Sequence, residues 1–276
     1  MTLLSAKTVM FEIAFTGAAL SVAGYLFSLL AKRVVLAKIS TWILGFSFVS
    51  LTVYLLLAVI ISAGFHDLGS RELFAFYAWS ASGVYLAFQL KTKTRLLGAF
   101  VSPFVLLFMI AAAGRETSEA ILPQNLQGWL ATAHLAFAIV GEILFVLASC
   151  AAAMFIIQSS LLKSKKMGSM SRLLPPLNDL DGINHKCLLL GFPFLTVGII
   201  GGAIYAAFVW EHLWPADPKV VWSFAAWVVY GFLLHQRLVI GWKGFRMATL
   251  SCAVFVLFLI SALIIRFYLP TIHSFN

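Results

Sequence analysis

The sequence predicts an all-α polytopic integral membrane protein with eight transmembrane helices and both termini outside. Two observations lead to this fold class. Of the 276 residues, 62% are hydrophobic and only 11% are charged, whereas soluble domains average about 25% charged residues. The apolar residues also fall in long runs that are separated by short polar segments. A soluble globular fold is therefore excluded before any motif is considered.

Eight apolar runs are long enough to cross a bilayer, which takes roughly 17–25 helical residues. The first run has no basic leader and is followed by Lys32 and Arg33, which is typical of a stop-transfer segment and not of a cleaved signal peptide. The predicted spans are residues 9–31, 42–63, 73–90, 96–113, 129–157, 187–209, 220–236 and 247–266.

The basic residues predict how these spans are oriented. Fourteen of the 19 lysines and arginines lie on one side of the predicted membrane. By the positive-inside rule this side is cytoplasmic, so both termini are expected outside. The net charge of +9 therefore reflects topology and gives no reason to expect a nucleic-acid partner. The outer basic residues are Lys7, Arg71, Arg115, Lys219 and Arg266.

The whole chain, residues 1–276, reads as a single transmembrane domain without an internal repeat. Its longest polar segment is the predicted inner loop 158–186. Two interpretations of this loop remain open: a solvated connector near anionic lipid, or a docking surface for a soluble partner. The three cysteines lie within or at the inner ends of predicted helices and form no Cys-x-x-Cys pair, so a dithiol function is not expected.

Six histidines are candidates for chemistry, because ionisable residues in or beside a membrane span are usually functional. His134 has apolar neighbours on both sides, and Glu142 follows eight residues later on nearly the same helical face. For this pair, a functional role and a structural hydrogen bond to a neighbouring helix both remain open. His235 is either a ligand or a polar helix end. His66 and His185 are expected in solvated loops.

The stretch VWEHLWPADPKVVW, residues 209–222, combines three tryptophans with His212, two acids and a lysine. As an ordinary loop it would place tryptophans at the membrane interface, with Asp217 and Pro218 starting the next helix. As a binding surface it would suit a flat, apolar and anionic ligand. Haem has these properties and requires only two axial groups, an apolar slot and a cation for its propionates. A zinc site would require a Cys/His spacing that the sequence lacks.

The order of these features resembles the cytochrome c assembly proteins of the CcsA/ResC type. These haem-handling membrane proteins are related to CcmC and carry a tryptophan-rich "WWD" domain. The string LLGFPFLTVGIIGGAIYA (189–206) is similar to the span before that domain, and WVVYGFLLHQR (227–237) to the segment after it. The terminal IHSF is similar to the family's Leu-His-Ser-Tyr. The residues that match the WWD pattern in register are Trp210, Trp214, Asp217, Pro218, Lys219 and Trp222.

The resemblance, which extends over about 125–276, implies roles for these residues. Two outer histidines of the family bind haem iron axially at the external face, and they match His134 and His273. A further histidine, matching His235, is implicated in a second haem position on the path from the cytoplasm. The outer tryptophan-rich loop, 207–222 here, lies against the macrocycle. The implied haem b site comprises His134, His273, His235, Trp210, Trp214, Asp217 and Trp222.

Two residues depart from the family pattern in this loop. Glu211 stands where the family has glycine, and Ala216 where it has tryptophan. The first change adds an anion near an anionic ligand, and the second removes an indole that could stack. Together with the chain length, these departures resemble HemX-like relatives, which share the fold and act on glutamyl-tRNA reductase in tetrapyrrole synthesis.

Two functions of different classes therefore stay open. One is a haem-handling component of cytochrome c biogenesis, at most part of a haem lyase complex, with a ResB/CcsB-type membrane partner and apocytochrome c. The other is a HemX-like, non-catalytic regulator or scaffold of haem synthesis. A small-solute transporter is disfavoured, because the two halves carry no matching pair of broken helices. We expect the protein in the cell inner (plasma) membrane.

Overall fold

The computed structural model describes residues 2–62, 69–92, 94–115, 128–164, 174–210 and 217–268. Within these ranges the chain forms eight α-helices and no β-strand, which confirms the all-α prediction. The helices are α1 (Leu3–Ala31), α2 (Val34–Ile61), α3 (Ser70–Thr92), α4 (Gly98–Ala113), α5 (Trp129–Lys163), α6 (Leu177–Trp210), α7 (Pro218–Leu238) and α8 (Phe245–Tyr268). A turn of 3-10 helix, Arg95–Leu97, leads into α4.

Each predicted span corresponds to one observed helix, but several helices are longer than predicted. Helix α2 begins at Val34 and not at 42, and α6 begins at Leu177 and not at 187. Hydropathy locates the apolar part of a helix. It does not detect helix ends whose polar residues face solvent or find partners in the fold.

Seven of the described helices are long and apolar enough to cross a bilayer. The exception is α7, in which polar residues at both ends lower the hydropathy: Pro218 and Lys219 at its start, and His235, Gln236 and Arg237 in its final turn. The chain is thus an all-α, multi-pass membrane protein. The orientation with both termini outside stays a prediction.

The helices form two compact units. Unit 1 comprises Met1–Leu122 and Ile157–Asp179, and unit 2 comprises Pro123–Ile156 and Leu180–Asn276. Helix α5 therefore belongs mostly to unit 2 and contributes its last turns to unit 1, while α6 lies almost entirely in unit 2. That the whole chain acts as one domain stays a prediction.

Unit 1 is built on close packing between α1 and α2. The hydroxyl of Ser47 donates to the carbonyl oxygen of Ala14 at 2.6 Å, and that of Ser21 donates to Ser40 at 2.9 Å. Gly17 lies opposite Ser47, where an added Cβ would approach the serine Cβ to 3.1 Å. In lipid, where no hydrophobic effect drives helices together, small residues and interhelical hydrogen bonds supply this association.

Polar contacts at both ends of unit 1 show the directions of its first three helices. At one end, Glu72 pairs with Lys7 at 2.8 Å and accepts a hydrogen bond from the Tyr54 hydroxyl at 3.0 Å. At the other end, the hydroxyls of Tyr25 and Tyr85 are 3.0 Å apart. Because α1 and α3 contribute early residues where α2 contributes a late one, the helices alternate in direction. This is the alternation that the predicted topology requires.

Candidate functional site

His134 lies in the second turn of α5, half-buried, and contacts α6 in unit 2. Its Nδ1 is 2.5 Å from the carbonyl oxygen of Gly198. Because a carbonyl oxygen only accepts, Nδ1 carries the proton in this contact. In the neutral imidazole, Nε2 is then the unprotonated nitrogen and keeps its lone pair.

Glycines of α6 form the surface against which His134 packs. An added Cβ at Gly202 would lie 2.6 Å from Cε1 of His134, and one at Gly201 would lie 3.5 Å from its Cβ. At Gly198, an added Cβ would lie 2.9 Å from the backbone nitrogen of Ala138. The imidazole can therefore reach the Gly198 carbonyl because glycine allows the two helices to approach closely.

The close approach of α5 and α6 continues along both helices. An added Cβ at Gly141 would lie 2.8 Å from the backbone nitrogen of Leu195, and one at Gly191 would lie 2.9 Å from Cε1 of Phe145. These glycines leave no room for a side chain between the helices. The half-buried Glu142 is the neighbour of Gly141 on α5.

Asp217 begins α7, as the sequence predicts. Its Oδ1 accepts a hydrogen bond from the backbone nitrogen of Lys219 at 2.9 Å, and Pro218 follows as the first helical residue. The residue is only 3% exposed. The end of the tryptophan-rich loop is therefore held by a buried cap, and the prediction of an N-cap is confirmed.

Trp222 is anchored on α8. Its indole Nε1 donates to the hydroxyl of Ser261 at 2.6 Å, and its ring meets Phe258 edge-on at a centroid distance of 5.7 Å. Hydrogen bonds thus join His134 to α6 and Trp222 to α8. Among the residues that the structure describes, no hydrogen bond or ring contact links His134 with Trp222.

His235 is exposed in the last turn of α7, while the residues on either side of it, Leu234 and Gln236, are buried. Two residues later, Arg237 forms a bidentate ion pair with Asp181 of α6, with nitrogen–oxygen distances of 2.7 and 2.6 Å. The ion pair thereby fixes the last turn of α7 to α6, and the imidazole of His235 lies on the surface of unit 2.

Asp181 also binds the start of α8. Its Oδ1 accepts a hydrogen bond from the backbone nitrogen of Gly244 at 2.9 Å. Gly244 has φ +64°, a left-handed conformation that favours glycine. One carboxylate therefore connects the beginning of α6, the end of α7 and the beginning of α8.

Sequence reasoning missed this connection, and two of its predictions here are wrong. The stretch 158–186 is not one solvated loop, because α5 extends to Lys163 and α6 begins at Leu177. His185 is consequently a half-buried helix residue and not a loop residue. Asn184 shows why the helix continues: its side-chain nitrogen donates to the carbonyl of Ala148 and to Ser251 at 3.0 and 3.1 Å. Partners elsewhere in the fold make these polar residues compatible with a packed helix.

Several candidates lie outside the described residues: His66, Glu211, His212, Trp214, Ala216 and His273. Trp210 is the last residue of α6, and the structure describes its backbone alone. The second axial ligand and the altered loop positions thus stay predictions.

Comparison with known proteins decides the family. Residues 68–273 match the family model described as Cytochrome C assembly protein. The chain belongs to this family. The match begins just before α3, so it reaches further towards the N-terminus than the sequence motifs did.

Individual relatives agree with this membership. The chain is 30% identical over 214 residues to the cytochrome c biogenesis protein CcsA of Chlamydomonas reinhardtii, covering 74% of this chain but 59% of that protein. It is 27% identical over 245 residues to CcsA of Pyropia yezoensis, covering 74% and 76%. A shorter match, 40% over 97 residues, joins it to CcsA of Gloeobacter violaceus, covering 35% and 29%.

A solved structure shows the same fold. The cytochrome c heme lyase CcmF superposes with a TM-score of 0.69 at 14% identity, over 93% of this chain and 46% of CcmF. The chain therefore spans less than half of CcmF and about three fifths of the Chlamydomonas protein.

Proposed function

We propose that this protein is a haem-handling membrane component of cytochrome c biogenesis. In this proposal it holds haem b at the outer membrane face and presents it for attachment to apocytochrome c. Membership of the cytochrome c assembly family supports the pathway. The observation that carries the proposal is the fixed imidazole of His134, whose Nδ1 binds the Gly198 carbonyl.

The chemistry of His134 fits an axial ligand of haem iron. Histidines that bind metals commonly donate their other ring N–H to a backbone carbonyl, which fixes the ring and increases the basicity of the ligating nitrogen. His134 has this arrangement with Gly198. Iron in six-coordinate haem takes two axial groups. We propose His273 as the second, because it matches the family's terminal histidine.

The tryptophan-rich loop supplies the surface for the macrocycle in this proposal. Trp210, Trp214 and Trp222 would offer aromatic faces for stacking. The buried cap of Asp217 fixes the end of the loop, and the Ser261 contact fixes the indole of Trp222. These two contacts hold part of the surface in place before any ligand binds, which lowers the entropic cost of binding.

The protein's contribution to haem attachment is positioning and protection. Each cysteine thiol of an apocytochrome adds across a haem vinyl group, so that sulfur bonds to carbon and the thiol proton ends on the neighbouring carbon. His134 and His273 would hold the iron between them and would keep oxygen from binding to it. The reactive centre belongs to the haem, and the protein would supply its binding and orientation. The chain would do this as one part of a haem lyase complex.

An inner haem position at His235 completes the proposed route from the cytoplasm. The imidazole is exposed at the end of α7, so a ligand has access to it. A single histidine supplies one axial ligand. In this proposal a ResB/CcsB-type membrane partner would supply the second axial ligand at the inner position. We place the protein in the cell inner (plasma) membrane.

Absorbance spectroscopy of the purified protein tests the outer site. Protein from haem-replete cells should carry low-spin, six-coordinate haem, and both His134→Ala and His273→Ala should lose that spectrum. Imidazole added to His134→Ala should restore it, because the free base can fill the vacated position. His185→Ala, which removes a half-buried imidazole from α6, is the matched control and should keep the wild-type spectrum.

The same experiment separates the alternative function. A wild type without haem, or unchanged ligation in both histidine variants, would rule out the outer site. If the haem-free protein instead bound a soluble enzyme of tetrapyrrole synthesis, the HemX-like regulator would replace our proposal.

A further inference from the structure

Unit 1 contains a cavity of about 280 Å³ at the end where α3 stops and α4 starts. Its walls come from Val34 at the start of α2, from the α3–α4 connection, and from the segment 174–179 that leads into α6. In the predicted orientation this is the cytoplasmic end. Ligand pockets typically measure about 300–1,000 Å³, so this cavity suits a small polar group and not a macrocycle.

A half-buried cation lines this cavity without a carboxylate beside it. Arg95 projects from the α3–α4 connection, and no carboxylate of the described residues lies within 4.0 Å of its guanidinium. A partly buried charge without a counter-charge is unfavourable. Lys32 and Arg33 directly precede Val34, which adds positive charge beside the cavity. The electrostatics therefore favour an anionic ligand.

The polar wall beside Arg95 can adapt to such a ligand. The hydroxyls of Thr92 and Thr94 are 2.8 Å apart, and Thr92 donates to the carbonyl of Phe88 at 2.9 Å. In this arrangement Thr94, which is buried, donates to Thr92. The Thr94 hydroxyl can turn its hydrogen towards an oxygen in the cavity.

A carboxylate elsewhere in the lining of the cavity narrows the choice of ligand. Asp179 is exposed and lines the cavity, so a purely anionic group would meet repulsion there. A zwitterion with a phosphate beside a primary ammonium matches both charges. Leu96 and Leu174 supply apolar walls next to these groups. The headgroup of phosphatidylethanolamine combines these properties with an anchor in the membrane.

We propose that this cavity binds the headgroup of a phosphatidylethanolamine molecule in the cytoplasmic leaflet, with its phosphate at Arg95 and its ammonium at Asp179. The bound lipid connects the α3–α4 connection to the start of α6 within unit 1. Basic pockets of membrane proteins at the cytoplasmic face bind anionic lipid headgroups; in this cavity the carboxylate of Asp179 adds a place for the ammonium of a zwitterion.

Native mass spectrometry of the purified full chain tests this site. After delipidation, phosphatidylethanolamine and phosphatidylglycerol are added back separately, and inorganic phosphate in a third arm. The wild type should retain phosphatidylethanolamine in preference. Arg95→Gln should retain at least tenfold less of it, whereas Asp179→Asn should keep phospholipid binding but lose the preference. Lys91→Gln removes an exposed charge from α3 outside the cavity and should behave as wild type.

The outcomes that overturn the proposal are distinct. Equal retention of the two lipids by the wild type contradicts the zwitterionic ligand, and displacement by inorganic phosphate shows a site for a free anion. An equal loss in Arg95→Gln and Lys91→Gln shows general surface electrostatics. Should Arg95→Gln fail to fold, Asp179→Asn decides the result, because its exposed side chain can change without disturbing the core.

Discussion

An ion pair joins helices in each of the two units, and the two pairs differ in what surrounds them. In unit 1, Lys7 offers a single ammonium to Glu72, which also accepts from Tyr54. In unit 2, Arg237 holds Asp181 with two parallel hydrogen bonds. The second pair lies two residues from His235, whereas no histidine adjoins the first in the described part of unit 1. Similar ion pairs thus hold helices together in unit 1 and, in unit 2, also fix the helix turn that carries the candidate ligand His235.

The helix contacts of the two units also differ in which groups bind the backbone carbonyls. The α1–α2 contact places glycine opposite serine, and the serine hydroxyls fill the space and bind backbone carbonyls. The α5–α6 contact uses glycines, and the carbonyl of Gly198 is taken by a side chain that has a further nitrogen to offer. A buried polar contact is therefore not by itself a sign of function.

Removing the Arg237 side chain should have the largest effect. Arg237→Ala removes both side-chain hydrogen bonds to the partly buried Asp181 carboxylate and leaves it only the Gly244 amide among the contacts described. The free energy of unfolding should therefore fall by about 3 kcal/mol, the lower end of the range for a broken buried ion pair. Lys7→Ala should cost less, because it removes one contact where Arg237→Ala removes two, and because two groups, the Tyr54 hydroxyl and the Gly69 amide, still bind Glu72. Unfolding experiments in detergent measure the free energy of unfolding of both variants. Haem at the His235 position should be lost in Arg237→Ala alone, and an equal loss in Lys7→Ala would contradict the difference between the units.

Gly198→Ala should lower the free energy of unfolding by about 1–3 kcal/mol, because its Cβ meets the α5 backbone and overpacks the helix contact. Gly182→Ala on the same helix is the control, since nothing lies within 4 Å of its added Cβ. That exchange should be neutral or stabilising, by up to about 1 kcal/mol. Similar destabilisation in both variants would show that helix spacing is not set at Gly198.

Gly202→Ala should affect haem binding more than stability. Its Cβ would meet the imidazole of His134, a side chain that can rotate away, and not a backbone atom. The expected result is near-native unfolding with loss of the six-coordinate spectrum. A native spectrum in this variant would mean that the ring does not ligate from the position described.

Asp217→Ala removes the cap of α7 and should cost about 0.5–2 kcal/mol. The measurement is again the free energy of unfolding, combined with the haem content. If unfolding changes within this range and haem is retained, the residue acts as a cap alone. If the protein folds as before but loses haem, its role exceeds capping.

The smallest effect is expected from Trp222→Phe, which deletes the hydrogen bond to Ser261. Interhelical hydrogen bonds in membranes average about 0.6 kcal/mol, so a loss of that order should appear. Ser261→Ala should match it, and the double variant should cost no more than either one. An additive double variant would show that the two side chains do not interact.

Much of this fold could be predicted from hydropathy, because every helix contains an apolar stretch that must avoid water. The ends of the helices could not, as α6 shows. Asp181 and Asn184 look like loop residues until Arg237, Gly244 and Ser251 supply partners that are distant in sequence. His134 could be singled out because a lone histidine among apolar residues needs a reason to be there. Its partner could not, because a backbone carbonyl leaves no trace in residue type.

The contact between His134 and Gly198 has a consequence for variation at this site. The acceptor is a main-chain oxygen, which every residue type carries, so no substitution at position 198 can delete it. A substitution can only move it, by adding bulk that forces the helices apart. The orientation of the imidazole is thus insensitive to the chemical character of residue 198 and sensitive to its size. Variants at this position should therefore divide into two groups by the orientation of the imidazole: glycine in one, and every larger residue, polar or apolar, in the other.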